Sequence, residues 1–97
     1  ALPILNYSKN DFVVQKSTRD NKKYMAHLKS DPSKTIHFGA IKNNGQPYEQ
    51  YKDQTNLKLF SKYDHNDLER RQRYIKRHNK DIRKGFNAGW LSKIFLW

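Results

Sequence analysis

Alternating apolar and polar residues between positions 12 and 39 predict a three-stranded antiparallel meander. The strand candidates are residues 12–16, 23–28 and 34–39, and polar turns at 19–22 and 30–33 separate them. Because successive side chains of a strand point to opposite faces, a period of two places the apolar residues on one face. That face comprises Phe12, Val14, Tyr24, Ala26 and Leu28, and it is completed by Ile36 and Phe38.

Residues 40–63 are predicted to form a long loop without regular structure. The run Lys-Asn-Asn-Gly-Gln-Pro at positions 42–47 has the composition of a turn, and Gly39 before it ends the strand ladder. Larger side chains within the loop are expected to hold it against the sheet; these are Tyr48, Tyr51, Leu57, Leu59 and Phe60.

Residues 65–84 carry the strongest helix signal in the chain. Asn66 followed by Glu69 three residues later is the pattern of a capping box. Arg83 and Lys84 place positive charge in the last turn, and Gly85 suits the position that follows a helix. The apolar stripe is narrow and comprises Leu68, Ile75 and Ile82, with Tyr74 and His78 at its edges.

Both ends of the sequence are apolar. Residues 1–11 are interpreted as an N-terminal arm, and residues 12–97 as one small basic α+β domain. Residues 89–97 are either a short helix that seals the core or a tail that docks on another protein. If they dock, the apolar residues that contact a partner protein are Leu2, Ile4, Leu5, Trp90, Leu91, Ile94, Phe95 and Trp97.

Composition narrows the classes of protein that fit this pattern. The chain has 97 residues, of which 35% are hydrophobic and 13% aromatic, and its mean hydropathy is −1.12. So short a chain buries a small core, which argues against an autonomous enzyme with a deep cleft. It contains no cysteine, so a disulfide framework and a thiolate zinc site are both excluded. No apolar run reaches the length of a membrane span, so none is expected.

Positive charge is the most informative property. Twenty Lys and Arg residues against nine Asp and Glu residues give a formal net charge of +11. Within the predicted helix, five cations recur at steps of three and four, which places them on one face as a basic row of about 20 Å. The row comprises Arg70, Arg73, Arg77, Lys80 and Lys84.

Three interpretations of this basic row remain open. It binds a polyanion or an acidic partner, it is buried against partner subunits, or it only keeps the helix soluble. In the first case, five or six phosphate contacts predict that the logarithm of affinity falls with the logarithm of salt at a slope of about −5. The charge excess extends over residues 1–61, which carry ten basic and five acidic side chains, so no acidic segment offsets it.

Aromatic residues lie between the basic ones, and they too allow two interpretations. Rings in a small sheet are most often core, but exposed rings near cations stack on single-stranded bases. The rings concerned are Tyr7, Tyr24, Phe38, Tyr48, Tyr51 and Tyr63. No aromatic RNA-recognition signature, zinc-finger spacing or glycine-rich phosphate loop is present, so sequence-specific recognition has no support.

The four histidines do not predict a catalytic or metal site. His65 and Asp67 have the spacing of a nucleolytic or metal-binding pair, but His78 would lie about 140° from His65 around one helix. His27 and His37 lie on neighbouring predicted strands, where a pairing is usually structural. We therefore expect no enzymatic activity, no cofactor and no metal.

Four motifs follow one another along the chain: Lys23-Tyr24-Met25, Lys34-Thr35-Ile36-His37-Phe38-Gly39, the helix segment from His65 and Asp67 to Arg77 and His78, and Ala88-Gly89-Trp90 with Ser92, Lys93, Leu96 and Trp97. In this order they resemble a family of small basic proteins encoded by nucleocytoplasmic large DNA viruses. The resemblance covers most of residues 12–97, apart from an apparent insertion at 40–60. The family has no biochemical role that transfers, so it assigns no site residues.

The resemblance implies a context and two functional hypotheses. It implies a component of a virus particle, made in the cytoplasm of the infected cell and part of a larger assembly. The first hypothesis is a non-enzymatic virion structural protein that bridges capsid or other virion proteins through its apolar ends and its basic helix. The alternative is a nonspecific nucleic-acid-binding protein that condenses or packages viral DNA.

Overall fold

The computed structural model describes residues 8–83 and 87–97. The chain forms a three-stranded sheet, a long loop and three helices, as a small α+β fold. Single 3-10 turns occur at Lys9–Asp11 and Ser61–Tyr63. The elements are β1 (Phe12–Lys16), β2 (Lys22–Leu28), β3 (Asp31–Ala40), α1 (Leu68–Arg77), α2 (Asn79–Arg83) and α3 (Ala88–Leu96).

The predicted meander is confirmed. Its strands are antiparallel in the order β1-β2-β3, and the pairs Val14–Ala26 and Tyr24–Phe38 lie directly opposite each other. Strand β3 begins at Asp31, so the turn before it is shorter than predicted and Pro32 lies within the strand. Proline is tolerated there because β3 is an edge strand.

The hydrophobic core lies between the predicted apolar face of the sheet and helix α3. Phe38 stacks on Phe95 with ring centroids 5.7 Å apart, and Phe12 contacts Trp90 at 5.6 Å. The buried apolar residues are Phe12, Tyr24, Ala26 and Phe38 of the sheet and Leu91, Phe95 and Leu96 of α3. The C-terminal segment is therefore a core element, the first of the two predicted alternatives.

This packing corrects part of the predicted docking surface. Leu91 and Phe95 are buried in the chain's own core and offer no surface to a partner protein. Trp90, Ile94 and Trp97 pack against the core but remain half-buried. The predicted docking residues Leu2, Ile4 and Leu5, with residues 1–7 of the arm, lie outside the described residues.

The alternation of the sheet fails where Lys23 and Gly39 lie on adjacent strands. Lys23 is buried although it directly precedes the core residue Tyr24, and Gly39 is buried although it directly follows Phe38. Gly39 has a φ of +80°, and a Cβ there would come within 3.0 Å of the Lys23 Cβ and 3.1 Å of Leu96 Cδ1. Glycine thus lets the end of β3 turn and approach α3 closely.

The long loop is held by polar side chains, which corrects the prediction that apolar ones would hold it. Phe60 does pack against the core, but Tyr48, Leu57 and Leu59 are exposed. The side chains that the loop buries completely are instead Gln50, Asp53 and Thr55.

The main chain of the loop also ties it to helix α3. The amide of Lys52 donates to the carbonyl of Leu96 at 3.0 Å, and the amide of Gln54 donates to that of Phe95 at 2.8 Å. Carbonyls in the last turn of a helix lack partners within the helix, so these bonds satisfy two of them.

The predicted basic helix exists, but it is divided. Helix α1 ends at Arg77, because His78 leaves helical geometry with φ −103° and ψ 14°, and α2 begins at Asn79. The start also differs from the prediction. Asn66 has a φ of +54°, a left-handed conformation that asparagine tolerates, and Asp67 caps the helix in its place.

Candidate functional site

Helix α1 is fixed at its start by a short hydrogen-bonded turn. The carboxylate of Asp67 accepts from the amides of Glu69 at 3.0 Å and Arg70 at 3.3 Å. The amide of Asp67 in turn donates to Nδ1 of His65 at 2.9 Å. A carboxylate at this end also interacts favourably with the helix dipole, so residues close in sequence stabilise the start of the helix.

The outer face of α1 is exposed and strongly basic. The segment 68–77 has five basic residues and one acidic residue, and none of its residues is buried. Arg73, Lys76 and Arg77 are exposed and have no ion-pair partner among the described side chains. Arg70 is ion-paired to Glu49, at 3.3 Å between exposed side chains.

The inner face of α1 is held mainly by aromatic stacking and not by aliphatic burial. The rings of Tyr74 and Trp97 are parallel within 2° and their centroids are 4.1 Å apart. Arg71 donates from Nε to the main-chain carbonyl of Trp97, and its guanidinium lies 5.5 Å from the centroid of the Tyr51 ring. Leu68, which the sequence placed in the apolar stripe, is 60% exposed.

The structure thus keeps part of the predicted basic row together. Arg73 and Arg77 lie on the exposed face of α1, and Arg70 lies at its edge beside Glu49. Lys80 is exposed but belongs to α2, beyond the break at His78, so helical periodicity no longer relates it to the others. Lys84 lies outside the described residues. Lys76, which the row omitted, belongs to the exposed basic face.

His65 and His78 lie near the two ends of a chain of rings. His65 is 5.1 Å from Trp97, and His78 is 4.4 Å from Tyr74, whose ring stacks on Trp97. Trp97 and Tyr74 therefore lie between the two histidines, so His65 and His78 are not placed to bind the same metal ion. Within residues 8–83 and 87–97, no three His, Asp or Glu side chains are grouped closely enough to hold a metal ion.

The surroundings of His65 favour the neutral form of its ring. Burial, followed by the nearby charge of Arg70, lowers the pKa of His65. Because Nδ1 accepts the amide proton of Asp67, the neutral ring carries its proton on Nε2. That nitrogen is buried and has no hydrogen-bond partner among the described residues. The ring therefore supports the start of α1, which is a structural role.

A cleft of about 460 Å³ opens beside the end of the sheet, where α1, α3 and the loop approach one another. Its described lining contains no Asp or Glu side chain. Cations, half-exposed rings and small residues surround it instead. The lining includes Lys22, Lys23, Tyr48, Tyr74, His78 and Gly89.

Lys23 is a buried cation in the wall of this cleft. The residue is 2% exposed, and its Nζ donates to the Tyr48 carbonyl and to Oε1 of Gln50, both at 2.6 Å. Burial lowers the pKa of Lys23 to about 8, although the charges of Asp53 and Asp64 act in the opposite direction. An ammonium group has three N–H donors, and these two bonds use two of them.

A second set of buried polar groups lies around Asp53, further along the same loop as Gln50. Asp53, 1% exposed, accepts from Tyr24 Oη at 2.5 Å and from Thr55 Oγ1 at 2.6 Å. It also accepts from the amides of Thr55 and Phe60, so its carboxylate has four donors. Burial and the bond to Asp53 raise the pKa of Tyr24 to about 12. This network supports the fold and leaves no reactive group exposed.

Sequence reasoning did not identify the cleft, because its residues come from five separate segments. Tyr48 was assigned to hold the loop to the sheet, and Lys23 was treated as an ordinary strand residue. The one local signal was that a lysine and a glycine lie next to core residues in two strands predicted to pair. No helix among the described residues has the length and apolar character to cross a membrane.

The comparisons with known proteins add no assignment. No protein-family model matches the chain, and no curated protein or solved structure shows a significant similarity to it.

Proposed function

We propose that this protein binds nucleic acid without sequence specificity, through the exposed cations of helix α1. The observation that carries the proposal is a helix that buries no residue and presents Arg73, Lys76 and Arg77 on its outer face. A helix with so little burial contributes little to the core. The charges of Arg73, Lys76 and Arg77 are also not neutralised by ion pairs among the described side chains. Clustered, unpaired cations of this kind attract phosphates and release counterions on binding.

The expected affinity depends strongly on salt. About four phosphate contacts predict a slope of about −3.6 for log affinity against log salt on duplex DNA. Raising the salt from about 50 to 200 mM should then weaken binding about 150-fold. The measurement is equilibrium binding of a labelled random duplex by fluorescence anisotropy at several salt concentrations.

The test variant replaces Arg73, Lys76 and Arg77 with glutamine. We expect about a hundredfold weaker binding at low salt and a slope reduced by about 3, because each lost contact releases one fewer counterion. The free energy of unfolding should change by no more than about 0.5 kcal/mol, since the three side chains are exposed.

The matched control removes three other exposed cations, which lie in the sheet and its turns. Lys16, Arg19 and Lys29, each replaced with glutamine, lower the net charge by the same amount. If the control variant weakens binding as much as the α1 variant, overall charge and not helix α1 binds the duplex, and the proposal is wrong.

A bridging role in a virus particle is the second candidate function. Its structural support is that Ile94 lines a shallow groove together with Ser8, Lys9 and Asn10, which belong to the predicted N-terminal arm. The same binding experiment separates the two candidates. Weak duplex binding that polyglutamate displaces equally well would indicate an acidic protein as the partner, and the virion-bridging hypothesis would be preferred.

A further inference from the structure

The cleft beside α1 has the features of a site for a single nucleotide unit, and this inference rests on the proposed function. Its volume of about 460 Å³ lies within the range of small-ligand pockets. We propose that the cleft takes one unstacked nucleotide of single-stranded nucleic acid, with the base against Tyr48 and His78 and the phosphate at Lys22 and Lys23.

Two rings in the cleft are accessible to a base. Tyr48 is 50% exposed, so part of its ring is open to a ligand. His78 is half-buried and terminates the series of stacked rings that runs through Tyr74 to Trp97. When a base stacks on a ring that is already held in place, the protein loses little side-chain freedom. Such stacking tolerates any base.

The charge of the cleft suits a phosphate group. Lys22 and Lys23 both line it, and Lys42 lies 5.2 Å from the centroid of the Tyr48 ring. The ammonium of Lys23 keeps one N–H donor beyond its bonds to Tyr48 and Gln50. No described acidic side chain lines the cleft, but the carboxylates of Asp53 and Asp64 act on Lys23, so the more exposed cations Lys22 and Lys42 contribute most of the attraction for an anion.

Small residues leave the space that a nucleotide needs. Gly39, Ala40 and Gly89 form part of the wall, so the backbone of β3 and of the first turn of α3 borders the cleft directly. The exposed cations of α1 and the cleft residue Tyr74 belong to the same ten-residue helix, although they lie on different faces of it. Duplex DNA keeps its bases stacked and cannot insert one without unpairing it, so the cleft favours single strands.

The test compares the full chain and Tyr48→Ala on two probes, a 12-nucleotide single strand that contains 2-aminopurine and a 12-base-pair duplex. The wild-type protein should change the fluorescence of the 2-aminopurine as it unstacks from its neighbours and meets the ring. Tyr48→Ala should weaken single-strand binding at least fivefold, abolish that fluorescence change and leave duplex binding within twofold. Lys22→Gln should lower the salt slope on the single strand by about 0.7.

Tyr63→Ala is the matched control, because Tyr63 also has a lysine, Lys62, 5.2 Å from its ring centroid but does not line the cleft. It should leave both probes unaffected. If Tyr48→Ala and Tyr63→Ala behave alike, the cleft does not bind bases, and duplex binding through α1 still stands. If Tyr48→Ala acts as expected while the α1 glutamine variant binds duplex normally, the cleft is confirmed and the proposed function fails.

Discussion

Two regions of the molecule use polar side chains in opposite ways: one is the sheet with its long loop, and the other is helix α1. In the first region, Lys23, Gln50 and Asp53 are buried. Lys23 donates a hydrogen bond to Gln50, and Asp53 accepts one from Tyr24. In α1, Arg73 and Arg77 are exposed and have no partner among the described side chains. A buried polar group must be satisfied for the chain to fold, whereas an exposed charge costs the fold almost nothing. The comparison therefore separates residues that stabilise this protein from residues that are available to a ligand.

The largest expected effect comes from Asp53→Ala. The change leaves the hydroxyls of Tyr24 and Thr55 and the amide of Phe60 without their acceptor in a buried site. We expect the free energy of unfolding to fall by about 3–5 kcal/mol, measured by urea denaturation. Asp20→Ala, which removes the same charge from an exposed turn, is the control and should change it by no more than about 0.5 kcal/mol. Equal effects of the two variants would show that the network does not stabilise the fold.

The next largest effect on stability is expected from Gly39→Ala, compared with Gly45→Ala. Gly39 and Gly45 both have positive φ, +80° and +86°, so both variants are strained by about 1–2 kcal/mol. Gly39→Ala also forces its Cβ against Lys23 and Leu96, which adds about 1–3 kcal/mol, whereas nothing lies within 4 Å of the corresponding atom at Gly45. Thermal unfolding of the two variants should therefore differ clearly, and equal melting temperatures would contradict the close approach of β3 to α3.

The smallest of these effects is a dependence of stability on alkaline pH. The pKa of Lys23 is about 8 in the folded chain and about 10.5 in the unfolded chain. Above pH 8 the folded state therefore loses this proton first, and stability rises by about 1–2 kcal/mol up to pH 9.5. Above pH 10 the trend reverses, because the pKa of Tyr24 is raised to about 12 and only the unfolded tyrosine ionises there. Urea midpoints between pH 7 and 9.5 measure the rise.

Lys23→Met tests the assignment of that rise to one side chain. The variant keeps a long side chain and cannot titrate, so its urea midpoint should stay constant between pH 7 and 9.5. A rise that persists in this variant would have to come from another group. The glutamine variant of α1 completes the comparison, because its stability should be nearly unchanged while its duplex binding is lost.

The sequence predicted those parts of the fold that depend on local periodicity. The alternation from Phe12 to Phe38 is a property of neighbouring residues, and the three strands follow it. The presence of a helix after residue 65 was equally predictable, but its first residue and its division at His78 were not. Asn66 and Asp67 are both good caps, and the choice of Asp67 depends on the bond from its amide to His65.

The sequence by itself determined the small α+β architecture, the apolar face of the sheet and the density of positive charge on α1. Only the tertiary structure decided that Leu91 and Phe95 belong to the core, that Asp53 holds the loop, and that Lys23 and Tyr48 border one cleft. The reason is physical. Periodicity acts between residues a few positions apart, whereas burial and cleft formation depend on segments that meet only when the chain folds.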